Sequence, residues 1–442
     1  MSHRETSPAS PRLIISKCNT LISQIGVIIY FMNSFQKLYE SEKQSAAYMI
    51  DEIKYICCHL EPRAPGSSGE RKAAEYLASV LQRDCGIKEV ETESFKEHPG
   101  SFYGYCRITG CLGVLSCLGL FLHPVISLTL SCLSLFLFLL YFVFYLPVID
   151  PFFPEKVSTN VTGIRPCEKE IKRRILINGH IDAAWEFTLN YHFGGIVFEI
   201  PNAAALSGTI VYIILSILAL CIEGPWIHTA AWLGCIFIPF FIAVGLTYNT
   251  KQITDGANDN LTGCYMGITL LHEMQQLGIT LEHTELGVLL TGSEEAGLRG
   301  AKAWCQAHQQ DFHDVPTYII TFDTIHDPRH LLVNERDLNS TLKSDAVLGN
   351  AFYQAAMDMG VPCKKGRVPL FGGSTDSSAF TRGGFRAVAI TGLSHKLEDY
   401  YHTRKDTWDH LNPEGLENCY KALVRMIEMA DQGFLDEWKN HL

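Results

Sequence analysis

The chain has 442 residues, with 36 Lys+Arg against 47 Asp+Glu and a net charge of −11. That length admits a large buried core, and an acidic balance without a long basic run excludes nucleic acid as the main partner. Hydrophobic residues make up 47% and charged residues only 19%, where roughly a quarter is usual for a soluble domain. The deficit excludes a disordered chain and points to part of it lying in lipid. The 15 cysteines are an odd number, and Cys106, Cys111, Cys117, Cys132, Cys221 and Cys235 sit in apolar stretches. They read as small hydrophobes in a reducing setting, not as a disulfide framework.

Residues 1–40 form an N-terminal segment in which Arg4, Arg12 and Lys17 precede the moderately apolar Cys18–Phe35. An anchor and an amphipathic helix both remain open, and no small-residue cleavage site follows. Amphipathic patterns predict helices over Ser41–Cys58 and Ser68–Gln82, and alternation predicts a strand over Lys88–Phe95. From Ile108 to Ile149 there is no Asp, Glu, Lys or Arg. One helix of that length would measure about 63 Å, roughly twice the hydrocarbon thickness. His123-Pro124 breaks it, so residues 103–149 are read as a transmembrane hairpin with helices near Tyr105–Leu122 and Val125–Leu146. Strands follow at Asn160–Arg165 and Arg174–Asn178. A second apolar run, residues 201–250, is interrupted by Glu223-Gly224-Pro225 and gives another hairpin, near Leu206–Ile222 and Ile227–Tyr248. Beyond it come a helix over Cys264–Leu277, apolar strands at Leu286–Thr291 and Tyr318–Thr321, and a long amphipathic helix over Pro413–Trp438.

With the hairpins set aside, residues 41–102, 150–200 and 251–442 read as one α/β domain, a mixed central sheet with helices on both faces. Each hairpin returns to the side it left, so the polar body shares one face of the bilayer. Arg107, Lys156 and Lys251 flank the hairpin bases while the tips lack Lys and Arg. The positive-inside rule then predicts a multi-pass membrane protein whose body faces the cytoplasm.

Polar residues cluster at the ends of the apolar strands, where open α/β sheets bind ligands. Gly179-His180-Ile181-Asp182 ends one strand, with a carboxylate placed to hold the imidazole's second N–H while the other nitrogen binds metal. Asp255–Gly263 is a Gly/Asn-rich turn entering a helix, where Asp259 reads either as a metal-bridging carboxylate or as a helix cap. Leu286–Leu290 runs into Thr291-Gly292-Ser293-Glu294-Glu295. Adjacent buried glutamates repel unless one binds metal and the other acts as general base on a water the metal has acidified. Asp323 ends a further strand, and His402 lies in Tyr400–Thr407.

These five elements, in this order, resemble the co-catalytic dizinc aminopeptidase family, which includes bacterial leucyl aminopeptidases, glutamate carboxypeptidase II and, more distantly, glutaminyl cyclase and the transferrin receptor. Glu61–Ser67 and Asp406–Leu411 extend the resemblance to about Ser41–Gly433. It implies a zinc aminopeptidase/phosphorylase-hydrolase-like fold and two zinc ions, other divalent ions remaining open. His180, Asp323, Glu295 and His402 would be ligands, Asp259 the bridge, Glu294 the general base and Asp182 the partner of His180. The segment Phe371–Phe380 corresponds to one lining the substrate site, so Ser374, Asp376 and also Tyr401 are substrate-binding candidates. In the family the His-x-Asp strand and the bridging aspartate are close in sequence, whereas here 79 positions separate His180 from Asp259 and the second hairpin fills the gap. The expected activity is removal of N-terminal residues from peptides by a metal-bridging hydroxide. A carboxypeptidase, an N-acyl amino acid or amide hydrolase, a glutaminyl cyclase and a non-catalytic membrane receptor remain alternatives. The expected partners are a peptide substrate and the lipid bilayer.

Overall fold

Segments far apart in the chain meet in one mixed sheet of nine strands, described by a computed structural model over residues 35–312, 314–394 and 398–437. Residues 1–34, which carry the candidate anchor, lie outside the described residues. The first half contains α1 (Glu42–His59), α2 (Ser68–Arg83), β1 (Val90–Glu97), α3 (Gly100–Leu122), α4 (Pro124–Phe138), β2 (Lys156–Arg165) and β3 (Arg173–His180). A short strand β4 (Trp185–Phe187) then leads into α5 (Thr188–Phe193), α6 (Gly195–Cys221), α7 (Trp226–Gly234) and α8 (Ile238–Gly245), and β5 (Tyr248–Ile253) returns to pair with β4. The remainder is α9 (Thr262–Leu277), β6 (Thr284–Thr291), α10 (Arg299–Ala307), β7 (Thr317–Asp323), β8 (Leu332–Asp337), β9 (Leu342–Lys343), α11 (Ala346–Asp358), β10 (Lys364–Arg367), α12 (Asp376–Arg382), β11 (Arg386–Thr391) and α13 (Pro413–Asp431).

The sheet runs β1-β2-β6-β3-β7-β11-β8-β10, with β9 paired to β8. Its centre, β6-β3-β7-β11, is parallel, while β1 and β2 add antiparallel strands at one edge. Alternate residues of β3 show why its sequence is apolar throughout. Ile175 and Ile177 pack under α1, α2, α9, α11 and α13, while Leu176 faces a second cluster holding Trp304 of α10 and Phe380 of α12. Both faces are covered, as a parallel sheet requires. The expected α/β architecture is the one found. All the described cysteines are free.

Among the described residues, four helical stretches are long and apolar enough to cross a membrane: Gly100–Leu122, Pro124–Val143, Gly195–Cys221 and Trp226–Gly245. They fall in the two stretches read as hairpins, with shifted ends. The third begins at Gly195 rather than near Leu206, taking Glu199 and Pro201 into its first two turns. The Ser116 and Ser131 hydroxyls, 2.7 Å apart, link α3 to α4, and the close approach of Gly110 and Gly113 to Phe241 seats α3 on α8. The C-terminal helix ends at Asp431, not Trp438, because Gly433 takes φ +97° and turns the chain.

Candidate metal centre

The strand ends of β3, β6 and β7 lie side by side, so His180, Glu294-Glu295 and Asp323 converge by topology. Gly179 makes the convergence tight. A Cβ there would sit 2.4 Å from the backbone of Gly263-Cys264, so the start of α9 presses directly on the end of β3. That contact brings the Asp259 turn to His180. Arg63, fully buried, staples the same two segments by donating to the carbonyls of Ile181 (2.8 Å) and Gly256 (3.0 Å).

Asp259 stands between two histidines. One carboxylate oxygen, Oδ1, lies 3.1 Å from His180 Nε2, and the other, Oδ2, lies 3.1 Å from His402 Nε2. His402 Nε2 is also 3.2 Å from Glu295 Oε1. The donor atoms at this centre fall into three close groups, His180–Asp259–Asp323, Asp259–Glu295–His402 and His180–Glu294–Glu295; the first two share Asp259. Glu294 Oε2 is 3.9 Å from His180 Nε2. All five residues read as ligands are therefore in one buried cluster, with Glu294 at its side.

Asp182 supports the cluster from beneath. Its Oδ1 accepts the backbone N–H of Glu294 and its Oδ2 that of Glu295, each at 3.0 Å. His180 Nδ1 lies 3.2 Å from the Asp182 carbonyl oxygen and 3.4 Å from its Oδ1. Asp406 repeats the device on the other side, accepting the N–H of Asn258 (2.8 Å) and Asp259 (3.0 Å). Several non-glycine residues beside the donors, and one donor itself, sit in the left-handed region: Ser293 (φ 53°), Thr324 (φ 54°) and His402 (φ 49°). Each such conformation costs on the order of 1–3 kcal/mol and persists where surrounding contacts fix it.

The electrostatics call for added positive charge. Burial raises Glu294, Glu295 and Asp323, the last to about 7, with neighbouring carboxylates adding to the shift. Burial disfavours charge on His402, yet Glu295 and Asp259 pull it up to about 10, and Asp182 and Asp259 likewise raise His180. Burial would raise Asp259 too, but the two imidazoles hold it below the usual carboxylate range. Neutral imidazoles and three carboxylates around two divalent ions would relieve this crowding, and nitrogen–oxygen donor sets of this kind suit zinc. The residues fit the metal.

The substrate-binding candidates are placed differently. Asp376, at the start of α12, is buried and accepts the Thr291 hydroxyl at 2.5 Å, while its Oδ1 has no hydrogen-bond partner among the described residues. The Ser374 hydroxyl lies 2.6 Å from that of Ser378 and donates to Asp337 at 3.2 Å. Tyr401 stacks on His402 with ring centroids 4.2 Å apart. Sequence reasoning passed over the supporting roles of Arg63 and Asp406, although both lie in segments quoted for the resemblance. It also passed over Glu70 and Glu97, whose carboxylates meet at the Ser293 hydroxyl (2.9 and 2.5 Å) immediately before Glu294.

The sequence model of the family described as Peptidase family M28 matches residues 244–427. That span holds Asp259, Glu294, Glu295, Asp323 and His402; His180 and Asp182 join them through the fold. Among solved structures, the chain is similar to an aminopeptidase from Aneurinibacillus sp. strain AM-1, with 13% identity, a TM-score of 0.52, and coverage of 87% of this chain and 93% of that one. It is similar to a zinc aminopeptidase from Bacillus subtilis at 12% identity and TM-score 0.51, covering 87% and 95%. A glutaminyl cyclase from Fimbriiglobus ruber is equally near, at 12% identity and TM-score 0.51, covering 88% and 95%. At these identities the likeness is one of fold. No curated protein is a detectable sequence relative of the chain. The family match covers the stretch from Asp259 to His402, and the fold likeness and the donor set agree with it.

Proposed function

We propose that the chain is a membrane-embedded dizinc aminopeptidase that removes N-terminal residues from peptides. The observation that carries this reading is Asp259, whose two oxygens each face a histidine from a different group of donors. His180, Asp259 and Asp323 would hold one ion, and Asp259, Glu295 and His402 the other. Bound zinc supplies Lewis acidity, polarising a carbonyl and lowering the pKa of water to about 7. Glu294 takes a proton from the attacking water and returns it to the departing amine. Asp182 fixes the backbone from which Glu294 projects, and Asp406 fixes that of Asp259.

The charge of the site favours a free α-amine over a free α-carboxylate as the recognised end. Glu294, Glu295, Asp323 and Asp376 act on one another as like charges. The nearby cations are committed elsewhere: Arg63 to two carbonyls, Arg299 to Asp150, and Lys302 to the carbonyls of Tyr145 and Gly297. Once two divalent ions compensate the ligand carboxylates, Asp376, whose Oδ1 lacks a hydrogen-bond partner among the described residues, is the carboxylate left to attract an ammonium group. The test uses detergent-purified, zinc-loaded full chain with three versions of one peptide: free at both ends, amidated at the C-terminus, and acetylated at the N-terminus. The first two should be cleaved and the third spared. Cleavage that needs a free carboxylate, or that tolerates acetylation, contradicts the assignment.

The four apolar helices form two membrane hairpins in this reading, with the body of residues 41–102, 150–200 and 251–442 on the cytoplasmic side. Support comes from the flanking cations Arg107, Lys156 and Lys251 and from tips without Lys or Arg.

A further inference from the structure

The second hairpin grows out of the wall of the metal centre. Its stem strand β4 begins three residues after Asp182, and β5 ends six residues before Asp259. The stem is bonded to the loop of His402 at several points. Phe187 N–H donates to the His402 carbonyl at 2.7 Å, Arg404 forms a two-point ion pair with Glu186 at 2.6 and 2.7 Å, and the Asn190 amide donates to the carbonyls of Glu398 and Tyr401. Aromatic rings continue the path outward. Phe187 packs on His402 at 4.5 Å between centroids, and Phe198, in the first turn of the apolar helix α6, stacks on Phe187 at 4.5 Å. Two ring contacts therefore connect a metal-site histidine to a helix of membrane-spanning length. Beside Phe198 the corner between α5 and α6 turns Phe193 (66% exposed) and Ile196 (74%) outward, with Val197 and Ile200 following. An apolar apron of this kind, continuous with the hairpins, meets the lipid interface rather than bulk water.

We propose that the substrates are peptides anchored in the bilayer by an apolar C-terminal part, whose free N-terminal residue crosses the α5–α6 apron to reach the metal centre. The proposal rests on the aminopeptidase reading and names its substrate class. The two ring contacts from His402 to Phe198 together span about 9 Å, and an extended chain gains about 3.4 Å per residue, so a spacer of about three or four residues reaches from the scissile bond to the apron.

The test uses the full chain in proteoliposomes with three peptides sharing one N-terminal sequence: one unanchored, one carrying an acyl-lysine anchor after four residues, and one carrying the same anchor after twenty. The two anchored peptides partition equally, so their comparison reports where the site sits and not how much substrate is membrane-bound. The expected result is cleavage of the short-spacer peptide at least ten-fold faster than the unanchored one and no slower than the long-spacer one. Phe198→Ala should lower the anchored-to-unanchored ratio several-fold at unchanged zinc content. A second readout needs no turnover: a photoreactive side chain in the spacer of the short-spacer peptide, its α-amine left free, should crosslink Glu294→Gln protein within residues 187–200. Equal cleavage of anchored and unanchored peptides, resistance of the short-spacer peptide alone, or crosslinks confined elsewhere overturns the proposal and leaves the aminopeptidase reading standing. Release of no N-terminal residue from any of the three overturns both.

Discussion

One carboxylate, that of Asp182, accepts the backbone N–H groups of both Glu294 and Glu295, at 3.0 Å each. The two glutamates, base and ligand in the proposed reading, are thereby aimed by a single group placed two residues beyond His180. Asp182→Asn replaces one accepting oxygen with an amide that faces an N–H, leaving a buried donor unsatisfied at about 1–3 kcal/mol. We expect zinc affinity to fall roughly 10–100-fold, the scale of lost outer partners at metal sites. Competition with a fluorescent chelator measures it. Unchanged affinity would remove Asp182 from its supporting role.

The paired glutamates should separate in their effects. Glu294→Gln is expected to keep both zinc ions and lose turnover by about 10²–10⁴-fold, as for a positioned general base. Glu295→Gln should instead lose metal, because its Oε1 faces His402 beside Asp259. Elemental analysis alongside single-turnover rates distinguishes them, and a reversed pattern would exchange the two roles.

The carboxyl pair behind Ser293 predicts a pH dependence of stability. Burial raises Glu97 to about 7, and Asp182 and its own confinement with Glu70 oppose its ionisation. A carboxyl whose folded pKa lies above the unfolded value contributes stability that is full below about 4.5 and lost as pH rises through about 7. The midpoint of thermal unfolding should therefore fall as pH rises from about 5 to about 7. Glu97→Gln should flatten that fall, and an identical slope in wild type and variant would count against the shared proton.

Membrane topology is tested by single cysteines, on a background lacking exposed thiols, at Glu91, Glu168 and Lys364 and at the tip residue Glu223; all four positions are exposed. The first three flank the hairpins and should label together, only after the cytoplasm is opened, whereas Glu223 should label in intact cells. Disagreement among the first three would break the two-hairpin reading. Inversion of all four would reverse only the orientation.

The donors were legible in the sequence because each follows an apolar run or a glycine-rich turn, and the sheet then brings strand ends together. His180, Glu294 and Asp323 follow β3, β6 and β7, which are adjacent in space. What periodicity did not carry is the support behind them. Arg63 and Asp406 act on backbone groups across 118 and 147 positions of sequence, and side-chain-to-backbone bonds leave no pattern in a single chain. The strands β8, β10 and β11 were likewise missed; β10, with Lys364-Lys365-Gly366-Arg367, lies at the sheet edge and carries the charge that edges favour. The start of α6 was placed late because Glu199 and Pro201 read as the end of a polar segment. Pro201 nonetheless lies inside α6, in its second turn, where the missing N–H forgoes the helical bond to the Val197 carbonyl.

Zinc stoichiometry of the full chain and three variants tests the central claim, that Asp259 joins two metal sites. Detergent-purified wild type should hold two zinc ions per chain. His180→Ala and His402→Ala should each retain one, and Asp259→Ala should retain none at equal folded fraction by circular dichroism. A single zinc in wild type, or a tightly bound zinc left in Asp259→Ala, would contradict the account.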